Sequence, residues 1–262
     1  MKSFFKASLI VGAILLVLGT VMSVTALAMG AGKKLAWNIT IDSWEDGKLS
    51  LEEIYEDVTS LDFDIDFSML SVHEGETFSI EAYDADSSFV SKVENGVWRI
   101  RERHENYGFR IFKNRRQSRI KITLPKDFIA DKADIELGAG QVVIDALQAK
   151  NCDLDVSVGE LRVKNLSAEQ LSLNCDVGRA VLAGRIEKKG EIKCDLGEIK
   201  LTLEGEEKDY SYDLDVELGH AKIGKNQYTG ISNQRIRNEN ADKSLSIDCG
   251  VGSVNVEFVA AE

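Results

Sequence analysis

The chain has 262 residues, with 44 acidic against 32 basic side chains, a net charge of −12, and 44% apolar content. That length accommodates one sizeable domain plus an appendage. The acidic balance argues against nucleic acid as a partner, because phosphate contacts need clustered Lys and Arg.

The appendage comes first. From Ala7 to Gly32 the chain runs 26 residues without a charge, with Lys2 and Lys6 before it and Lys33 and Lys34 after. A helix needs about 20 apolar residues to cross a bilayer, so residues 1–32 read as a signal anchor forming one N-terminal transmembrane helix. The competing reading is a cleaved signal peptide, since Ala26-Leu27-Ala28 fits a small-x-small site with cleavage after Ala28. The run exceeds the 7–15 residues of an ordinary signal core, which favours the anchor. Both readings place the body outside the cytoplasm, either as a single-pass membrane protein with an extracytoplasmic C-terminal domain or as a secreted one.

Residues 33–58 read as a tether with one short strand candidate, Trp37 to Asp42. Residues 59–127 read as an irregular β cap. Leu61, Phe63 and Ile65 alternate, as do Ile120, Ile122 and Leu124 before the single proline, Pro125. Asn95-Gly96 between Val93-Glu94 and Val97-Trp98 predicts a type I′ hairpin.

Residues 128–258 are organised by a repeat, with a tail at 259–262. The unit is Φ-x-Φ-x-Φ-Gly-x-Φ-x-Φ, with glycines at 140, 159, 178 and 197, a 19-residue period, and again at 219 and 252. A short period of strand-like units predicts an all-β fold, a single-stranded β-solenoid (β-helix-like) of coils about 19 residues long. Positions five before, three before, one before, two after and four after each glycine are expected to point inward. The one-before column is Ala139, Val158, Val177, Leu196, Leu218 and Val251. A glycine eases the corner where two short strands meet. Cys175, Cys194 and Cys249 fall in the three-before column, where they act as small core hydrophobes. A Cys175–Cys194 bridge is the alternative, since adjacent coils lie within disulfide range.

Candidate chemistry is sparse. Asp176, Asp195 and Glu217 share one outward column, and like charges on neighbouring strands are relieved by a divalent cation, so they are calcium candidates against the plain reading of a solvated face. No nucleophile motif accompanies His73, His104 or His220, so no catalytic residue, cofactor or small-molecule substrate is assigned. One basic cluster, Arg110, Lys113, Arg115, Arg116 and Arg119, interleaves with aromatics. It suits an anionic wall polymer or lipid headgroup, or a solvated loop. The inserted loop from Gly224 to Lys243 adds Tyr228, Arg235 and Arg237 as contact candidates.

The repeated Val/Leu-Gly-x-Φ units, Ile120-x-Ile122-x-Leu124-Pro125 and the closing Asp248-Cys249-Gly250-Val251-Gly252-Ser253-Val254 resemble a bacterial family known as putative adhesins, a β-strand-repeat domain of unknown function. The resemblance implies an envelope protein and supplies no catalytic residues. The expected function is a non-enzymatic, membrane-anchored interaction module, facing a cell-wall polymer or a membrane-protein partner. The alternatives are an accessory of an envelope-stress signalling system and a carbohydrate-active β-helix enzyme.

Overall fold

The computed structural model describes residues 47–102, 117–238 and 241–260. The expected transmembrane helix and the Trp37 to Asp42 strand lie outside them. Among the described residues no helix is long and apolar enough to cross a membrane. The described residues are all-β and solenoid-like. Their sheet is not closed, and the one helical element among them is a 3₁₀ turn at Glu207–Asp209.

The strands in chain order are β1 (Leu49–Tyr55), β2 (Ser60–Gly75), β3 (Phe78–Tyr83), β4 (Val90–Glu94), β5 (Val97–Glu102), β6 (Ser118–Pro125), β7 (Ala130–Glu204), β8 (Tyr210–Val216), β9 (His220–Ile223), β10 (Asn226–Thr229), β11 (Ser232–Ile236), β12 (Lys243–Cys249) and β13 (Ser253–Val259). β7 is one unbroken extended run of 75 residues that coils on itself. Gly159 lies against the Gly140 backbone, Gly178 against Gly159 and Gly197 against Gly178. The 19-residue period therefore corresponds to one rung of the stack.

The order of rungs departs from chain order at both ends. β2 pairs in parallel with the first coil of β7, Phe63 opposite Ile135 and Val72 opposite Ile144. Its other side holds β5 and β6, which make a single rung split by residues 103–117. At the far end, β12 and β13 lie between the last coil of β7 and the rung formed by β8 and β9. Cys249 is opposite Cys194 on one side and Val216 on the other, and Val254 is opposite both Ile199 and Ala221. The last repeat in sequence is thus the penultimate rung in space.

Antiparallel strands then cover each terminal rung. β3 and β4 pair with β6 and β5, and β1 adds outside β3. β11 and β10 cover β8 and β9. Residues 49–55, expected inside a tether, are therefore part of the sheet, and within the expected cap β2 supplies one parallel rung and β5 with β6 another. The expected turn at Asn95-Gly96 forms, with φ of 54° and 76°. Aromatics fill the end beneath β1. Trp98 is fully buried, edge-on to Phe63 at 5.7 Å and to Phe78 at 6.3 Å, and its Nε1–H donates to Ser91 Oγ at 2.9 Å. Tyr210 against Phe258 at 5.4 Å does the same at the other end. Atypical end rungs of this kind hide the open core of a repeat stack.

Inside, the columns five before, three before, two after and four after each glycine are buried as the alternation requires. The one-before column is not. Val158 is 53% exposed, Val177 39%, Val251 40% and Leu218 72%, so this column faces solvent. The reason is geometric. The inward positions flanking each corner are five residues apart, an odd number, so the alternation must slip once within the corner. The slip turns the residue before the glycine outward. The glycine itself takes the tight position, where a Cβ would overlap the carbonyl oxygen of the neighbouring rung.

Candidate functional site

Glu102 ends β5 opposite Ile65, and Ser118 opens β6 opposite Ser68, so both stand at the corner of β2. Glu102 is 2% exposed there. Its carboxylate accepts the Phe67 N–H at 3.1 Å and the Ser68 hydroxyl at 2.5 Å, and also the Ser118 hydroxyl. The Ser68 and Ser118 hydroxyl oxygens also adjoin each other, and with one proton apiece, both spent on Glu102, neither donates to the other. Three donors on one buried carboxylate offset its desolvation. Glu102 and Ser118 flank the segment that carries the basic cluster, so this buried cluster pins both ends of that segment. Sequence reading missed it, because a single Glu at a strand end gives no signal of burial.

Of the basic cluster, Arg110, Lys113, Arg115 and Arg116 lie outside the described residues. Arg119 sits on β6 with Nη2 3.3 Å from Asp84 Oδ2, both largely buried. At the opposite end of the stack, Arg235 and Arg237 on and after β11 both engage Asp213, at 2.8 and 3.1 Å. Their hydrogen bonds, Arg235's first, hold the Asp213 carboxyl below the usual range. Tyr228 is half-buried on β10 with its hydroxyl 3.4 Å from that of Tyr212. Arg119 and the Tyr228–Arg237 loop belong to rungs at opposite ends of the stack, so the structure does not bring them together.

The three acidic candidates do not converge. Asp176 accepts the Asn174 amide at 3.2 Å, and Asp195 pairs with Lys193 at 3.2 Å. Glu217 was expected on the rung after Asp195. The intercalated last repeat places Gly250 there instead: Val251 N–H donates to Asp195 O, and Leu218 N–H donates to Gly250 O. Among the described residues no group of three or more His, Cys, Asp and Glu is arranged to hold a metal ion.

The outward faces carry ladders of mutually engaged side chains. Asp145 sits between His73 Nδ1 and Lys164 Nζ, each 2.7 Å away on the rungs to either side. Burial raises its pKa, but the hydrogen bonds from Lys164 and His73 outweigh this and hold it below the usual carboxylate value. Arg179 reaches Glu198 at 3.2 Å, and Glu257 lies between Lys200 and Lys222. A shallow hollow of about 310 Å³ crosses the face between Lys132 and Lys189, lined also by Asn151, Asp153, Gln170 and Ser172. All four cysteines are free and buried. Burial pushes the Cys175 thiol up to about 11.

A family model described as Toastrack DUF4097 matches residues 36–184. Among solved structures, the chain is similar to a "putative cell adhesion protein" from Clostridium sporogenes, with 13% identity, a TM-score of 0.45, and coverage of 81% of this chain and 100% of that one. It is also similar to a "putative adhesin" from Bacteroides fragilis, with 14% identity, a TM-score of 0.36, and coverage of 80% and 97%. A "putative lipid binding protein" from Parabacteroides distasonis gives the same figures: 14%, 0.36, 80% and 97%. No curated protein matches.

Proposed function

The chain belongs to the Toastrack DUF4097 family, and from that premise we propose that it is a non-enzymatic interaction module of the bacterial envelope. Its N-terminal segment spans the membrane once and its β-stack lies on the outer side. The observation that carries this reading is the uncharged run from Ala7 to Gly32 on the N-terminal side of a β-stack that begins at Leu49. The stack supports it too, because its outward carboxylates and cations are engaged with one another along the ladders rather than gathered around a reacting centre. The segment containing Arg110, Lys113, Arg115 and Arg116, held at its two ends by the Glu102 cluster, is the contact for an anionic wall polymer.

Two measurements test this. Protease added to intact cells should degrade the stack while the chain remains with the membrane pellet. Recovery in the cytosolic fraction, or full protection from protease, would sink the proposal. The detergent-solubilised full chain should pellet with wall sacculi and lose that binding when the anionic polymers are stripped. Arg115→Glu should weaken it. Absence of binding to any sacculi moves the partner to a membrane protein.

A further inference from the structure

In spatial order the inward column three residues before each glycine ends Cys175, Cys194, Cys249, Val216. Three thiols thus stand on successive rungs, all fully buried. Cys249 owes its place to the inserted last repeat, which sets it opposite Cys194. Register partners on parallel strands lie about 4.8 Å apart, inside the roughly 4.4–6.8 Å that a disulfide spans between Cα atoms. Cys194 has Cys175 on its other side, yet its thiol is hydrogen-bonded to that of Cys249. Both sulfurs also lie against residues that lack a Cβ. One added at Gly252 would be 3.1 Å from Cys194 Sγ, and one at Gly219 would be 2.7 Å from Cys249 Sγ. The corner glycines therefore leave room beside these two sulfurs for them to turn along the stack.

We propose that Cys194 and Cys249 are an oxidation site, a dithiol that closes to a disulfide and latches the inserted β12–β13 rung to the last coil of β7. The oxidant is a disulfide exchange partner, either a small disulfide or an oxidised dithiol protein. The Cys249 thiolate attacks one sulfur of that disulfide and expels the other as a thiolate. The Cys194 thiolate then attacks the Cys249 sulfur of the mixed disulfide and releases the second. Two electrons pass from the two cysteines to the partner's disulfide, and the two protons they gave up end on its thiols. Neither sulfur is within reach once the rung is shut. Before β12 docks, Cys194 lies on the open edge of β7 and Cys249 on an unpaired strand, so the exchange belongs to the docking step. The pairing also tells one order of rungs from another. Stacked in chain order, the last repeat would lie beyond β8 and β9, with Cys249 two rungs, or about 9.6 Å, from Cys194 and out of disulfide range. The bond therefore forms only on the inserted arrangement, and is then enclosed between neighbouring rungs. Exchange partners abound on the oxidising side of a membrane, but the pairing itself does not rest on the envelope reading.

The test is refolding of the reduced, detergent-solubilised full chain from urea, with oxidised glutathione or without it. The product is quenched with N-ethylmaleimide in fresh urea, digested and read by mass spectrometry. Without oxidised glutathione all four cysteines should carry a maleimide. With it, only Cys152 and Cys175 should, alongside a peptide pair joining Cys194 to Cys249. Cys152→Ser should leave that bridge intact, and Cys249→Ser should carry a maleimide at each of its remaining cysteines. Added reductant should open the bridge at least ten-fold more slowly in the folded chain than in urea. Four results would overturn the proposal: full alkylation or glutathione adducts in place of a bridge; a Cys175–Cys194 bridge in either chain; an equal yield of the Cys194–Cys249 bridge in a chain held in urea throughout, which signals chance pairing; or reduction as fast in the folded chain as in urea.

Discussion

Gly178 gives the sharpest test of how the rungs stack. A Cβ built there would lie 2.9 Å from Gly159 N and 3.1 Å from its carbonyl carbon, and closer still to its oxygen. All three are backbone atoms, so no side chain can swing away. The Gly178→Ala rung must therefore move outward by on the order of 1 Å, an overpacking that costs about 1–3 kcal/mol. The displacement also stretches neighbouring rung-to-rung hydrogen bonds, each worth about 1 kcal/mol. A total loss near 3 kcal/mol is expected, read as a lowered urea midpoint by far-UV circular dichroism. Val177→Ala, one residue away but solvent-facing, is the control and should stay within about 0.5 kcal/mol of wild type. Gly178 adopts an ordinary φ, whereas Gly159 is at 153°, where side chains are strained. Gly159→Ala should therefore cost about 1 kcal/mol more than Gly178→Ala. If Gly178→Ala and Val177→Ala lower the midpoint equally, the close approach of the glycine column is not what limits that position.

Three further outcomes follow from the described contacts. Glu102→Ala strands the Phe67 N–H in a buried site and leaves the Ser68 and Ser118 hydroxyls only each other; a loss of about 2–4 kcal/mol is expected, with Glu102→Gln milder, and hydrogen exchange should rise first around residue 67. Asp145 has a folded pKa below its unfolded value of 3.8, so its contribution is present above that value and is lost as pH falls through the folded one. Being partly exposed, it is worth under about 1 kcal/mol, and Asp145→Asn should lower stability at pH 6 but not at pH 2. A maleimide probe should label none of the four cysteines in the folded chain and all four in denaturant, since burial raises both Cys152 and Cys175 and leaves little thiolate. Rapid labelling of Cys194 or Cys249 in the native state would mean that the β12–β13 rung opens readily.

The coil architecture was legible because burial on one side imposes a period of two, and Gly140 to Gly197 impose the longer one. The hairpin at Asn95-Gly96 was legible because only residues tolerant of positive φ fit it. The order of rungs was not. Each repeat presents nearly the same inward residues, so Ile192, Leu214 and Ile247 are interchangeable as neighbours, and sequence alone favours the order of the chain. That one error misplaced Glu217 beside Asp195 and hid the apposition of Cys194 with Cys249. The outward turn of Val158 and Val177 was hidden for a related reason. An apolar residue in an apolar column reads as core, and only the five-residue gap between the inward positions around each corner betrays the slip. The Glu102 cluster had no pattern to find, being assembled from three segments distant in sequence.

The interleaving at the two ends has a consequence for how such a chain can change in length. A duplicated 19-residue unit appended after Val259 would meet no open rung, because β12 and β13 are enclosed between two neighbours and β10 and β11 shut the end beyond them. A unit added before β2 would meet the same obstacle. Inserted within β7, the same unit finds matching neighbours above and below and lifts the two ends apart by about 4.8 Å without altering either. The molecule can be extended like a table with a leaf, from the middle only. Its reach can therefore change while both ends keep their surfaces.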